Sequence, residues 1–181
     1  MAEQVILVDE HDNALGLMEK MEAHRLAKLH RAFSVFAMND KNEILLQRRA
    51  LHKYHSGGLW TNTCCSHPRE GESVEDAARR RLMEEMGFTC DVKRIFSFIY
   101  KAELDNDLTE HELDHVLIAR WNEDPKVNPD EVESFDWQSV EWVANDMKNN
   151  PDRYTEWFKI IYDRFLNYWN NEDHGLYKSA L

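Results

Sequence analysis

The sequence predicts an α/β fold, an α/β/α sandwich around a mixed sheet, on three observations. Strand-like and helix-like patterns are interspersed without the regular β-α-β alternation that builds a parallel sheet. Residues 60–88 read as a short strand, a loop and a helix. The chain then returns to strands and ends on a helical pattern rich in aromatic residues.

The elements follow in order. Residues 4–8 are apolar and β-branched, and residues 9–13 are turn formers, so a strand and hairpin are expected. Residues 17–29 are helical or irregular and carry Lys20 and His24, with His30 just beyond. Two strands, 31–39 and 43–49, flank a turn at 39–42; Phe33, Val35 and Ala37 share one face, as do Ile44 and Leu46. Residues 50–59 form a polar loop with Lys53, His55 and two glycines, the kind of segment that carries function.

In the stretch at 60–72, extended backbone sets Cys65 and His67 on one face and Cys64 and Ser66 on the other. Ser73 is a good N-cap for the helix that follows, with Asp76 as its capping-box partner. Ala77, Ala78, Leu82 and Met86 give that helix an apolar stripe, and Gly87 can end it in the left-handed region. Residues four apart are neighbours on a helix, so Arg81 lies beside Glu85 and Arg80 beside Glu84. A thiol, an imidazole and a carboxylate–guanidinium pair at one junction suit a metal-bound anionic substrate. Ion pairs at this spacing are equally the ordinary dress of a surface helix.

Residues 90–102 then predict a strand, 103–109 an acidic turn, 113–121 an apolar strand and 137–140 another. Ser139 caps a short helix through 147. Asn150 and Pro151 are an N-cap and N1 pair for a last helix to about 169, with Tyr154, Trp157, Phe158, Ile161, Phe165 and Leu166 at helical spacing. The residues after Asn170 are expected to be loosely held.

Length and composition bound the function. One domain spanning 1–181 is the simplest organisation for 181 residues, and 43% apolar content with six Trp supplies a core. No apolar run approaches the roughly 20 residues of a membrane span, and the first residues lack the basic and apolar regions of a signal peptide. Three cysteines, Cys64, Cys65 and Cys90, are too few for a disulfide framework; reduced thiols and the cytoplasm are expected. A net charge of -12 disfavours nucleic acid, and requires any diphosphate site to be a local cationic or metal pocket.

Motifs then add a resemblance. Glu72, Arg80, Leu82, Glu84, Glu85, Gly87 and Phe88 resemble the Nudix signature, G-x5-E-x7-R-E-U-x-E-E-x-G-U with U a bulky aliphatic. Ser66 stands where its first glycine belongs, and Arg81 where the first Glu of the R-E pair belongs. That exchange removes a metal ligand of the hydrolases and adds a phosphate-binding cation, which argues for binding a diphosphate without cleaving it. Trp60-Thr61-Asn62, Cys65-x-His67-Pro68 and Glu110-x-Glu112 resemble the type I isopentenyl-diphosphate isomerases within that superfamily, from about residue 19 to 157. The resemblance implies a Nudix fold, with its core at about 30–165.

It also implies a site. His24, His30, His67, Glu110 and Glu112 match the family's metal ligands, a set suited to zinc or manganese. A magnesium ion would bridge Glu85, the Cys65 carbonyl and the diphosphate. Lys20, Arg49, Lys53, Ser66 and Arg81 match the diphosphate contacts. The implied reaction interconverts isopentenyl and dimethylallyl diphosphate through a tertiary carbocation. Glu112 with Tyr100 would give a proton, Cys65 would take one with its ionisation aided by local cations, and Trp157 would steady the cation. The expected partner is this small prenyl diphosphate, with no nucleic acid or membrane, and the expected state a monomer or weak homodimer. A Nudix hydrolase of a nucleoside diphosphate derivative and an inactive Nudix-like binding module are the alternatives.

Overall fold

In the computed structural model, which describes residues 3–171, the chain begins with an antiparallel hairpin, β1 (Gln4–Val8) and β2 (Ala14–Glu19). The Asp9 carboxylate closes its turn by accepting from the backbone amides of His11 and Asn13. The segment expected to be helical or irregular is thus divided. β2 takes its start, and a short helix α1 (Lys20–Arg25) follows, capped by the Glu19 carboxylate.

β3 (His30–Met38) and β4 (Glu43–Arg49) form as expected but scarcely pair, meeting in register only at Met38 and Ile44. They splay because residues 60–66 enter between them. β5 (Trp60–Thr61) pairs with β4, and β6 (Cys64–Ser66) pairs with β3. Between β5 and β6, side chains stand in for the missing ladder. Thr63 Oγ1 accepts from the Ala37 amide and donates to the Leu45 carbonyl, while Gln47 Nε2 donates to the Thr63 carbonyl. Buried backbone groups need such partners, so this polar wedge keeps the split open without orphaning them.

α2 (Val74–Met86) has the expected ends: Ser73 Oγ accepts from the Asp76 amide, and Gly87 adopts φ 73°. β7 (Val92–Glu103) and β8 (Thr109–Arg120) are antiparallel, and β8 runs parallel to β3, with His30 opposite Glu112. β8 begins four residues before the expected strand, so Glu110 and Glu112 lie in the ladder instead of in an acidic turn. β9 (Val132–Ser139) pairs with β4 and leads into α3 (Val140–Asn149), capped by Ser139.

The last helix starts later than Asn150 and Pro151 predict. Residues Pro151–Arg153 make one 3₁₀ turn, and Tyr154 is extended and bridges to Trp60. Thr155 Oγ1 accepts from the Phe158 amide, and α4 spans Glu156–Asn171. Tyr154 therefore leaves the helical stripe, and its hydroxyl donates to Asp146. The expected loose tail, apart from Asn171, lies outside the described residues.

Strand alternation sorts the core into two layers. Phe33, Val35, Ala37 and Leu45 pack with Ala77, Leu82 and Met86 of α2 on one face. Phe36, Met38, Ile44 and Leu46 pack with α3 and α4 through Val143, Phe158, Ile161 and Phe165 on the other. A mixed sheet with helices on both faces is the α/β/α architecture. No helix among the described residues is long and apolar enough to cross a membrane.

Candidate active site

Every residue expected in the site, except His30, lines one cavity at the mouth of the split between β3 and β4. His30 is fully buried behind its wall.

Four of the expected metal ligands converge. One ligand atom from each of His24, His30, His67 and Glu112 lies within 4.8 Å of all the others. Each comes from a different part of the fold: α1, the start of β3, the residue after β6, and β8. The Glu112 carboxylate is 3.0 Å from His67 Nε2 and 3.4 Å from His30 Nε2. His30 Nδ1 lies 2.8 Å from the Lys28 carbonyl, which only accepts, so that nitrogen carries the proton and Nε2 presents a lone pair.

Both nitrogens of His24, Nε2 of His30 and Nδ1 of His67 are buried with no hydrogen-bond partner. Orphaned polar atoms are costly in a folded protein, and converging imidazole lone pairs beside a carboxylate are what a divalent cation satisfies. The residues fit a metal. Burial pushes the His24 imidazole down to about 3, reinforced by His67 and opposed by Glu112. An imidazole that resists protonation is a ready ligand.

Glu110 stands beside this cluster instead of in it. The Tyr100 hydroxyl is 2.7 Å from Glu112 Oε2 and 3.0 Å from Glu110 Oε2, so one hydroxyl bridges two buried carboxyl groups. Burial and the neighbouring Glu112 hold the Glu110 carboxyl well above the usual range. Burial also works against charge on Glu112, but the flanking imidazoles of His30 and His67 hold it well below the usual range. Two adjacent carboxyls in one environment split in this way because like charges cannot both ionise cheaply.

Across the cavity, Cys65 sits opposite Ser34 in the β3–β6 register. Its sulfur is 2.9 Å from Asn62 Oδ1 and 3.4 Å from Ser34 Oγ. Burial, then the Asp114 carboxyl, pushes its thiol up. The cations expected to help it ionise are not among the groups that dominate at the sulfur. Asp114 is itself fully buried, held well above the carboxylate range by burial and Glu112, and it accepts from Ser34.

Four cations line the remaining wall. Lys20 pairs with Glu3 at 2.7 Å, and Lys53 with Glu131. Arg81 reaches Glu85 at 2.5 Å, Glu84 at 2.7 Å and Glu131 at 3.4 Å. Arg49 has its guanidinium 5.1 Å from the Trp157 ring and donates to the His55 carbonyl. Trp157 is only 3% exposed, yet it borders the cavity. Glu85, also buried, accepts from Gln47. Ser66 lines the cavity beside Cys65.

Several site residues escape a reading of the sequence. Asp114 carried a signal, since it extends the alternation of Glu110 and Glu112 by one more step of two along β8. Ser34, Gln47 and Glu131 carried none, because their places depend on the splayed strands and the loop they enclose, and His55 was visible only as part of the polar loop at 50–59. Asn62 was visible only as part of a motif.

Comparison with known proteins accords with this geometry. The NUDIX domain family matches residues 28–158. The isopentenyl-diphosphate Delta-isomerase of Pectobacterium atrosepticum is 48% identical over 166 residues, 92% of this chain and 93% of that protein. Isopentenyl-diphosphate Delta-isomerase 2 of Photorhabdus laumondii is 52% identical over 161 residues, 89% of this chain and 91% of that one. Among solved structures, the MutT protein of Methanosarcina mazei aligns with a TM-score of 0.64 at 19% identity, covering 80% of this chain and 96% of that one, a likeness of fold alone. With that domain and those relatives matched along most of its length, the chain belongs to the NUDIX family and, within it, to the isopentenyl-diphosphate Delta-isomerases.

Proposed function

We propose that this chain interconverts isopentenyl diphosphate and dimethylallyl diphosphate. The observation that carries the reading is that Cys65 and Glu112 open into one cavity, with a cationic wall beside them. A double bond moves by one carbon when a proton adds at the terminal carbon of the alkene and another leaves the carbon on the far side of the cationic centre so formed. The first step spends the π electrons on a new C–H bond and leaves a tertiary cation. The second turns a C–H pair into the new double bond. One group must give a proton and another must take one, and the two exchange parts when the reaction runs backwards.

Glu112 and Cys65 are that pair. Sequence reasoning assigned the giving to Glu112, with the two parts exchanging as the direction changes; burial favours the protonated thiol of Cys65, and the imidazoles favour the charged carboxylate of Glu112. That distribution is the starting state for Cys65 to give. Tyr100 steadies the carboxylate through its hydroxyl. Trp157 offers an indole face, on which Arg49 already rests. A desolvated cation over such a face gains about 2 kcal/mol, roughly thirty-fold in rate where the gain is confined to the transition state.

Lys20, Arg49, Lys53 and Arg81, with Ser66, bind the diphosphate; the two guanidiniums grip oxygens in pairs and the lysines act as point charges. His24, His30, His67 and Glu112, with Glu110 adjoining, would hold zinc or manganese, and Glu85 with the Cys65 carbonyl would hold magnesium together with the substrate. When bound, these ions supply fixed orientation to Glu112 and neutralising charge to the diphosphate. The lining of this one cavity is drawn from residues 3 to 157, which supports a single domain. Its free thiols accord with the cytoplasm.

Proton NMR of isopentenyl diphosphate with the protein in deuterated buffer tests the reading. Deuterium should enter the prenyl chain with no phosphate released. Phosphate release without exchange would replace isomerisation with hydrolysis.

A further inference from the structure

Behind the Cys65 sulfur lies a side chain to which the reaction assigns no part. Asn62 is wholly buried in the break between β5 and β6, and it does not line the cavity. Its amide nitrogen donates to the carbonyls of Val35 and Cys64, each at 3.0 Å. Carbonyls only accept, so the amide cannot be turned over without setting oxygen against oxygen. Its Oδ1 is therefore fixed as an acceptor, facing the Thr61 hydroxyl and the Cys65 sulfur, both at 2.9 Å. The other neighbour of that sulfur, Ser34, donates its own hydrogen to Asp114.

We propose that Asn62 is a positioning residue for Cys65. Its locked carbonyl draws the thiol hydrogen back from the cavity and holds the sulfur in one rotamer at the wall. Turning about the Cβ–Sγ bond alone then carries the hydrogen from Asn62 to the ligand side, and the sulfur stays in place. The inference rests on Cys65 being one half of the proton pair. Ser34 Oγ, having donated its hydrogen to Asp114, can also accept from the sulfur, but at 3.4 Å against 2.9 Å for Asn62 Oδ1.

Asn62→Ala should lower kcat by about 10- to 100-fold, the scale of a small misplacement at a reacting group. KM for isopentenyl diphosphate should stay within about twofold, because the diphosphate wall is untouched. Alkylation of Cys65 by iodoacetamide at fixed pH should quicken by more than about threefold once the thiol loses its acceptor. An unchanged kcat in the folded variant overturns the proposal, as does a lower kcat with unaltered alkylation.

Asn62 also ties two backbone carbonyls, so the variant can fail to fold; the wild type then supplies the test. Its Raman S–H band, isolated by subtracting the spectrum of Cys65→Ala, should lie at a hydrogen-bonded frequency. A free-thiol frequency refutes the assignment. Full isomerase activity in Cys65→Ala would instead remove the reaction reading and leave the Raman result about Asn62 standing.

Discussion

Glu112 and Cys65 reach the cavity from elements distant in sequence, and neither can stand in for the other. A carboxylate held by two imidazoles and a phenol is a fixed, weakly basic group. A thiol held by an amide is a soft, swinging one. Positioned acids and bases contribute about 10²- to 10⁴-fold each, so Cys65→Ala and Glu112→Gln should each lower kcat by that order while leaving the folded structure intact by circular dichroism. Because the alkene needs both transfers, the pair acts as a unit, and the double variant should fall no further than the worse single one. Steady-state assays of the three proteins decide it. Losses that multiply would mean that the two residues serve independent ends.

At the scale of elements, α2 delivers Arg81 and Glu85 to the cavity, and its two ends set where they point. Ser73→Ala deletes the N-cap acceptor and should cost about 1 kcal/mol. Gly87→Ala should cost more, at least ~1–2 kcal/mol, because φ is 73° there and a Cβ would collide with the backbone carbonyl of Lys126. Urea unfolding measures both, and a Gly87→Ala protein as stable as the parent would contradict the cap geometry. This helix was legible in the sequence because its caps, stripe and charge spacing are all local signals. The splay of β3 from β4 was not. Each reads as a strand on its own, and what parts them is a polar wedge, residues 62 and 63, arriving from later in the chain. The same dependence on distant partners hid the start of β8, where an acidic run is extended only because β7 and β3 pair with it on either side. Asn150 and Pro151 looked like a helix start, but Trp60 captures Tyr154 first.

For the whole molecule, the four converging ligands join α1, β3, the end of β6 and β8, and so tie the N-terminal segment to the centre of the sheet. α1 is six residues long, too short to hold a helix by itself, and His24 is its buried anchor, 1% exposed with neither ring nitrogen satisfied. A cation that binds this folded arrangement and not the unfolded chain must stabilise the fold by mass action, by about 4 kcal/mol at a thousandfold excess over its Kd. The metal-loaded protein should therefore melt several degrees higher than the same protein stripped with a chelator. His24→Ala should lose most of that increment, and because it deletes an unpaired buried imidazole it should barely alter the melting of the stripped form. Differential scanning calorimetry with zinc, manganese and no metal, on both proteins, reads this without any assay of activity. Coincident curves for loaded and stripped wild type would mean that the orphaned imidazoles are not a metal's ligands, and the fixed orientation claimed for Glu112 would then have to come from Tyr100, His30 and His67 alone.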